Sequence, residues 1–382
     1  MKIRFYLTSI LLSGIAYTMY AQDTTKAKPE LPKPEFKPSG KLYGTVFGDY
    51  FYKMHSDSSG RGNSQYSGLG FPENANGFEA RRIYLGYNYE LSEKFTADVL
   101  IAYEGQYLSD GATRTVYIKG ANVRWKNICK NMDLVIGQMQ TPAFPMLTEK
   151  VWNYRSVEKT VLDMRKLCNS NDPGIALQGK IISNDNTELG YNLMVGNGSA
   201  AKIETDRFKK MYGDVFVKVM KKKIILDVYG DYERSQLSPY MKSKTTMKVL
   251  LAYQSDRITI GLEGFQQVQE KSVSYVTSAG TVIDNVVVFG VGGYVRGTII
   301  KDKLNFFIRH DIYIPNTNTR AISYKSEEDF SLIGFDYLPA KNIHIIPNLW
   351  YNSYFTENPA LPVKSRRDYD MVPRLTVHYI FK

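Results

Sequence analysis

The chain has 382 residues, of which 43% are hydrophobic, with a mean hydropathy of −0.32 and a formal charge of +11. This hydropathy argues against a helical membrane protein, and the length fits two average soluble domains or one large β-barrel. The two cysteines, Cys129 and Cys168, are too few for a disulfide scaffold, and their spacing does not match a zinc site. A basic protein can bind nucleic acid, anionic lipid or anionic solutes, but no Lys/Arg-rich run or nucleic-acid motif is present, so no nucleic-acid partner is expected.

The N-terminal residues predict export across a membrane. Lys2 and Arg4 precede an apolar run that starts at Phe5 and ends near the small residue Ala21, which is typical of a secretory signal peptide at 1–21. A signal anchor is the alternative, but the apolar run is short. Residues 22–39 are polar and contain four prolines, which predicts an extended periplasmic tail. The mature chain would then carry about +9, because Lys2 and Arg4 are removed from the +11 total.

From residue 40 to residue 382, segments that alternate between apolar and polar residues follow one another. In the segment 77–91, Ile83, Leu85, Tyr87 and Tyr89 share one face while Arg82 lies on the other, and a period of two predicts a β-strand. Seven short connections are predicted at 91–94, 127–131, 183–186, 221–223, 255–257, 301–303 and 338–342. Eight long ones are predicted near 55–76, 107–112, 142–172, 197–207, 235–244, 268–284, 315–327 and 355–367, which gives sixteen strands.

The regular alternation of short and long connections favours a membrane barrel. Outer-membrane barrels have an even number of antiparallel strands, short periplasmic turns and long outer loops. A soluble β-sandwich or β-rich lipoprotein is the alternative, since periodicity alone cannot tell which face is buried. The signal peptide and the tyrosines near strand ends favour the barrel, with lipid outside and water within. We therefore predict an all-β, sixteen-stranded antiparallel transmembrane barrel in the outer membrane of a Gram-negative bacterium, with outer-membrane lipid around it.

Several stretches, taken in order, resemble the porin O/P, or phosphate-selective porin, family in its divergent Bacteroidetes-type form. These are "FEARRIYLGYNYELSEKFTADVLIAYEG" (78–105), "LVIGQMQTPAFPMLTEKVWNYRSVEKTVLDM" (134–164), "PGIALQGKI" (173–181), "ELGYNLMVGNGSA" (188–200), "FIRHDIYIPNTNT" (307–319) and "LPAKNIHIIPNLWYN" (338–352). The resemblance implies a sixteen-stranded outer-membrane channel that forms a homotrimer. Phosphate selectivity is not carried over, because the third long loop has five bases against four acids.

The third long loop, at 142–172, is expected to fold into the barrel and narrow it. Its bases could face a passing solute and favour anions, or they could pair with Glu149, Glu158 and Asp163 and merely hold the loop. The candidate constriction residues are Lys150, Arg155, Lys159, Arg165 and Lys166.

Parity along the strands predicts which charged side chains face the lumen. Seven bases are predicted there, namely Arg82, Lys180, Lys218, Lys248, Arg296, Arg309 and Arg374, against three acids, Asp98, Glu104 and Asp227. This excess suggests a weak preference for anions, although ion pairs that stiffen the wall are the alternative, and one register slip would reverse a strand's faces. Arg81 has the parity of the lipid face, and we expect its head group to reach the outer rim.

No chemistry, metal or cofactor is expected, because none of the four histidines belongs to a recognisable catalytic or metal-binding motif. We predict a porin for passive diffusion of small hydrophilic or anionic solutes. The alternative is a non-conducting barrel subunit of an outer-membrane assembly, export or nutrient-uptake complex, with the proline-rich tail docking to outer-membrane protein partners. Cys129 and Cys168 are expected to be far apart and unbonded.

Overall fold

Sixteen antiparallel strands close into a single barrel in the computed structural model, which describes residues 36–61, 72–105, 115–237, 240–278, 280–318, 320 and 324–381. The predicted signal peptide and nearly all of the predicted tail lie outside these residues. The first eight strands are β1 (Ser39–Tyr52), β2 (Asn76–Glu90), β3 (Phe95–Tyr103), β4 (Tyr117–Cys129), β5 (Met132–Gln140), β6 (Asn171–Ser183), β7 (Glu188–Gly196) and β8 (Lys210–Val219). The other eight are β9 (Ile224–Leu237), β10 (Tyr240–Gln254), β11 (Ile258–Thr277), β12 (Gly280–Ile300), β13 (Leu304–Ile314), β14 (Ser326–Ala340), β15 (Ile343–Thr356) and β16 (Arg367–Phe381).

Within the described ranges, three short helices interrupt the strands: α1 (Thr148–Trp152) and α2 (Val161–Met164) between β5 and β6, and α3 (Val363–Arg366) before β16. No helix in the described ranges is long and apolar enough to cross a membrane.

The first and last strands pair with each other and complete the ring. Their register runs from Gly44 opposite Phe381 to Phe51 opposite Arg374. Each strand is therefore paired on both sides, and the barrel has no free sheet edge. The sixteen-stranded closed barrel predicted from the sequence is confirmed.

All seven predicted short connections are present at one end of the barrel, which we call the short-turn end. Two of them are only two residues long, at 130–131 and 341–342, and their asparagines Asn131 and Asn342 have φ values of 59° and 66°. Asparagine tolerates this left-handed conformation better than most residues, which suits a tight hairpin. The opposite end carries the longer connections, and we call it the long-loop end.

Two of the predicted long connections are instead mostly strand. β9 ends at Leu237 and β10 begins at Tyr240, while β11 and β12 extend to Thr277 and from Gly280. The predicted loops 235–244 and 268–284 therefore become hairpin tips, in the second case after a register shift between Gln269 and Val273. Valine, threonine and tyrosine are frequent in this second segment, and these residues favour the extended conformation even where the alternation breaks.

Apolar side chains cover the outer wall of the barrel. On β2, Ile83, Leu85 and Tyr87 are exposed, whereas Tyr84 is buried inside. The same rule holds around the ring, where the exposed residues include Val99, Ile136, Leu193, Val215, Val228, Leu251, Ile260, Ile308, Ile333, Tyr351 and Val377. Such an apolar exterior around a closed barrel is the arrangement that lipid tolerates.

Candidate functional site: the barrel interior and its inward loop

Residues 141–170, which connect β5 to β6 and which we call the inward loop, fold into the barrel. Phe144, Trp152, Val157 and Leu162 in this loop have no solvent exposure, although a connection normally lies on the surface. They pack against inward-facing side chains of the wall, so the loop forms the core of the barrel. The predicted placement of this loop inside the barrel agrees with these contacts.

Trp152 is the centre of the contact between the inward loop and the wall formed by β9–β16. Its ring lies 4.9 Å from that of Tyr294 and 6.1 Å from that of Phe307, measured between centroids. Tyr154 packs on Phe307 at 4.4 Å, and its hydroxyl donates a hydrogen bond to Asp336 over 3.1 Å. Because these groups form one buried apolar cluster that extends to β16, that side of the barrel is filled.

Two cationic side chains of the β9–β16 wall hold the first part of the inward loop. Lys248 donates to the Thr148 hydroxyl over 2.7 Å and forms a fully buried ion pair with Asp227 at 2.9 Å. Arg296 donates through Nε to the carbonyl of Val151 over 2.9 Å. Both cations therefore hold the segment that contains α1.

Two further arginines hold the second part of the inward loop. Arg309 donates to the carbonyl of Lys159 while it forms an ion pair with Asp311. Arg81 donates to the carbonyl of Ser156 over 2.8 Å. Of the bases predicted to face the lumen, Lys248, Arg296 and Arg309 thus contact the loop and hold it.

Arg155 lies on the opposite side of the inward loop, facing β2–β4. It forms ion pairs with Glu149 and, at 2.5 Å, with Asp163, both of which belong to the loop. Its guanidinium also lies 4.0 Å from Glu104, which follows β3. Arg155 is therefore held by loop carboxylates, as the second interpretation of the loop's charges predicts, and it also links the loop to the wall.

Glu104 forms ion pairs with basic side chains of two strands, in addition to its contact with Arg155. Arg82 donates to it over 2.9 Å and Lys119 over 2.6 Å, and the Tyr117 hydroxyl donates over 2.7 Å. Lys119 also reaches the Ser170 hydroxyl at the end of the inward loop, over 3.1 Å. One carboxylate thus organises the charges at the point where the loop approaches β2–β4.

The two lysines Lys150 and Lys159 of the inward loop form no ion pair within the described residues. Burial lowers the pKa of both, and Lys218 and Arg124 lower the pKa of Lys150 further. Of the remaining loop bases, Arg165 forms an ion pair with Glu328, whereas Lys166 is exposed. Lys150 and Lys159 are therefore the constriction bases whose positive charge is not balanced by an ion pair among the described residues.

The other predicted lumen-facing residues form pairs along the wall. Lys180 and Lys218 share Glu188 at 2.9 and 2.8 Å, and Lys180 is half-exposed at the short-turn end. Asp98 accepts hydrogen bonds from the Tyr43 hydroxyl at 2.9 and 3.0 Å.

Arg374 forms an ion pair with Asp49 across the seam between β1 and β16. Its guanidinium also lies over the ring of Trp350, at 4.1 Å from the centroid. The predicted base at this position therefore stiffens the closure of the ring.

The predicted position of Arg81 at the lipid face is wrong. The register between β1 and β2 changes from Phe47 opposite Arg82 to Gly48 opposite Ala80, which leaves Arg81 as an extra residue in a β-bulge. A bulge places consecutive side chains on one face, so Arg81 and Arg82 both point inward and are buried, Arg81 with Asp49 at 3.1 Å. Tyr103, which has the same parity along β3 as the exposed residues Val99 and Ile101, is also buried.

Among the buried strand residues that the structure describes, acids outnumber bases, whereas an excess of bases is predicted for the lumen-facing set. Ten buried strand residues are acidic: Asp49, Asp172, Glu188, Asp214, Asp227, Asp231, Glu263, Asp311, Asp336 and Asp370. Seven are basic: Arg81, Arg82, Lys119, Lys210, Lys248, Arg309 and Arg374. The parity argument missed most of these acids, although each lies in an alternating segment.

A cavity of about 480 Å³, which we call the inner cavity, lies between the inward loop and β1–β8. Met146, Leu147 and Lys150 of the loop form its roof. Asn88 and Lys218 are two residues and one residue from the short-turn ends of β2 and β8, so the cavity lies in the half of the barrel near those turns. The inward loop leaves this space unfilled, although its residues Phe144 and Leu162 pack against β5–β8 elsewhere.

Both cysteines are free, with Cys129 exposed and Cys168 buried, where its thiol contacts Asp231 at 3.2 Å. Within the described residues, no group of three His, Cys, Asp or Glu side chains could hold a metal ion.

No family model and no curated protein matches the sequence. The fold is similar to the outer-membrane channel DcaP of Acinetobacter baumannii, at a TM-score of 0.61 and 14% identity over 90% of this chain and 97% of that one. An anion-selective porin from Comamonas acidovorans is similar at a TM-score of 0.60 and 9% identity, over 90% of this chain and 100% of that one. OmpT of Vibrio cholerae, in a trimer form, is similar at a TM-score of 0.56 and 9% identity, over 90% of this chain and 99% of that one. These likenesses show a porin fold, whereas the resemblance to the porin O/P family stays a prediction.

Proposed function

We propose that the protein is an outer-membrane porin through which small hydrophilic solutes diffuse passively. The observation that carries this proposal is the asymmetric filling of the barrel. The apolar side chains of the inward loop pack against β9–β16 and also against β5–β8, whereas its contacts with β2–β4 are polar and charged, and the inner cavity lies beside β1–β8. A solute would therefore pass between the inward loop and β2–β4.

A weak preference for anions is part of the proposal. Lys150 and Lys159 of the inward loop form no ion pair in the part of the chain that the structure describes, and both are held at the side of the passage by the loop. Cationic groups in a narrow passage attract anions and repel cations. The structural neighbour from Comamonas acidovorans, which is called anion-selective, supports this preference.

The same reasoning extends to location and assembly. The predicted signal peptide and the apolar exterior support insertion into the outer membrane, and the trimer form of one structural neighbour supports a homotrimer. Fractionation of the producing cells and native mass spectrometry of the purified barrel test these two parts separately.

A second candidate function is a non-conducting barrel subunit of an outer-membrane assembly, export or nutrient-uptake complex. The observation that favours it is that the inward loop reaches both walls, through Trp152 on one side and through the 4.0 Å approach of Arg155 to Glu104 on the other. The predicted proline-rich tail would then dock to partner proteins.

Recording from planar bilayers separates the two candidates. The porin should give stepwise currents in potassium chloride, with a reversal potential that indicates anion preference in a salt gradient. A folded barrel that gives no current, and that co-purifies with other membrane proteins, would support the second candidate instead.

A further inference from the structure

Carboxamides dominate the polar lining of the inner cavity. Six residues contribute them, on β2, β4, β5, β6 and β7: Asn88, Asn122, Gln140, Asn171, Gln178 and Asn192. A carboxamide both donates and accepts hydrogen bonds, as a hydroxyl group does. A wall of this kind suits a ligand with several hydroxyl groups.

The charged groups around the inner cavity are largely satisfied within the protein. Arg124 pairs with Asp133 at 2.9 Å, and Lys218 pairs with Glu188 at 2.8 Å. Among the cations that line the cavity, only Lys150 forms no ion pair in the described part of the chain. A strongly charged ligand would therefore find little unbalanced charge here, whereas a neutral one would meet no barrier of like sign.

An aromatic ring and two acceptors complete the lining. The ring of Tyr43 covers Gly86, since a Cβ added to that glycine would lie 2.2 Å from the tyrosine Cζ, so the opposite face of the ring is turned away from the wall. Such rings offer an apolar surface on which the C–H groups of a sugar can pack. Two buried acceptors of lining residues, Oδ1 of Asn171 and Oδ2 of Asp214, have no hydrogen-bond partner among the described residues.

We propose that the inner cavity is a binding site for a neutral polyhydroxylated solute, a saccharide of one or two sugar rings. Its volume of about 480 Å³ lies in the range of about 300–1,000 Å³ that is usual for small-molecule sites. This inference rests on the proposed function, because a solute reaches the cavity through the passage beside the inward loop. The site makes the passage selective for sugars by transient binding.

The test uses sucrose as the probe and compares it with a polyethylene glycol of the same hydrodynamic radius. Single-channel currents in potassium chloride report occlusion, and titration calorimetry on the detergent-solubilised barrel reports binding without any need for conduction. Asn88→Leu and Asn122→Leu remove lining carboxamides at nearly constant volume. Asn76→Leu, at the long-loop end of β2 and outside the cavity, is the matched control, and heat-modified mobility on gels shows that each variant is folded.

We expect sucrose to reduce the current more than the polymer does, and to bind. Each lining variant should weaken both effects about fivefold, as one lost hydrogen bond of about 1 kcal/mol implies, while Asn76→Leu should change neither. Equal occlusion by sucrose and polymer, with no heat of binding, overturns the inference and leaves the porin intact. Binding without current supports the site and overturns the proposed function. Tighter binding of inorganic phosphate, lost in Lys150→Met, overturns the inference in favour of an anion site.

Discussion

Arg155 of the inward loop lies 4.0 Å from Glu104, and this ion pair joins the loop to the part of the wall formed by β2–β4. Glu149 and Asp163 hold the same guanidinium from the loop side. A single side chain thus meets three carboxylates, so its removal changes both the width and the charge of the passage.

Replacing Arg155 by glutamine should raise the single-channel conductance and shift the selectivity toward cations. The shorter neutral side chain opens the gap to Glu104, and Glu149 and Asp163 lose the positive charge that balances them. Reversal potentials in a potassium chloride gradient measure the shift. Lys301→Gln, in a short turn, is the control for the loss of one positive charge. An unchanged reversal potential in Arg155→Gln would show that ions do not pass this residue.

As the pH rises, the preference for anions should be lost at a lower pH than would be expected if the lysines had the ordinary pKa of about 10.4. Burial lowers the pKa of Lys150 and Lys159, and a lysine carries its charge only below its pKa. The charge is therefore present at neutral pH and is lost early as the pH rises. Reversal potentials recorded across the alkaline range measure this. The double variant Lys150→Met/Lys159→Met should show weak preference at neutral pH and little further change, and an identical pH profile in that variant would contradict the assignment.

Replacing Lys248 by methionine should destabilise the barrel by about 3–5 kcal/mol, because Asp227 stays buried without its partner. The loss of the hydrogen bond to Thr148 should also loosen the inward loop. Urea unfolding of the barrel in lipid vesicles measures the free energy of unfolding. Adding Asp227→Asn to the Lys248→Met variant should recover part of the lost stability. Lys180→Met, which breaks a half-exposed ion pair, should lower the free energy of unfolding by less than about 1 kcal/mol. Equal losses in Lys248→Met and Lys180→Met would contradict the proposed anchoring.

Truncating Trp152 to alanine should lower the free energy of unfolding by about 3–5 kcal/mol and should increase the noise of the open-channel current. The indole has no solvent exposure and contacts Tyr294 and Phe307, so its loss leaves a cavity beneath the loop. Unfolding in urea and the open-channel noise of bilayer recordings are the two measurements. Trp125→Ala, on the exposed wall, should leave the noise unchanged. A quiet channel in Trp152→Ala would show that the loop is held by its polar contacts alone.

The strands and their faces could be predicted from the sequence because alternation is a local property. Every second residue of β16 from Leu375 to Tyr379 is exposed, as its pattern predicts. The prediction failed where the register slips, since the bulge that turns Arg81 inward depends on the pairing of β1 with β2 and not on β2 alone. Long strand extensions at the β11–β12 tip were missed for a related reason, because their alternation is interrupted by the shift after Gln269.

The composition of the interior could be predicted only in part. Parity placed Lys248, Arg296 and Arg309 inside the barrel. That they donate hydrogen bonds to hydroxyl and carbonyl oxygens of the inward loop depends on where this loop packs, which parity does not predict. The buried acids were undercounted because an aspartate such as Asp49 is stabilised there by cations from distant segments, Arg81 and Arg374. Pairs of that kind join residues far apart in the chain, and one-dimensional patterns carry no signal for them.

Because the apolar side chains of the inward loop pack against β5–β16, while its contacts with β2–β4 are polar and charged, these two parts of the wall can be redesigned separately. Substitutions on β2–β4 could change the width, charge or solute preference of the passage while the apolar packing that positions the loop stays unchanged. An engineering effort toward a pore of new selectivity should therefore begin with the side chains of β2–β4 that face the inward loop.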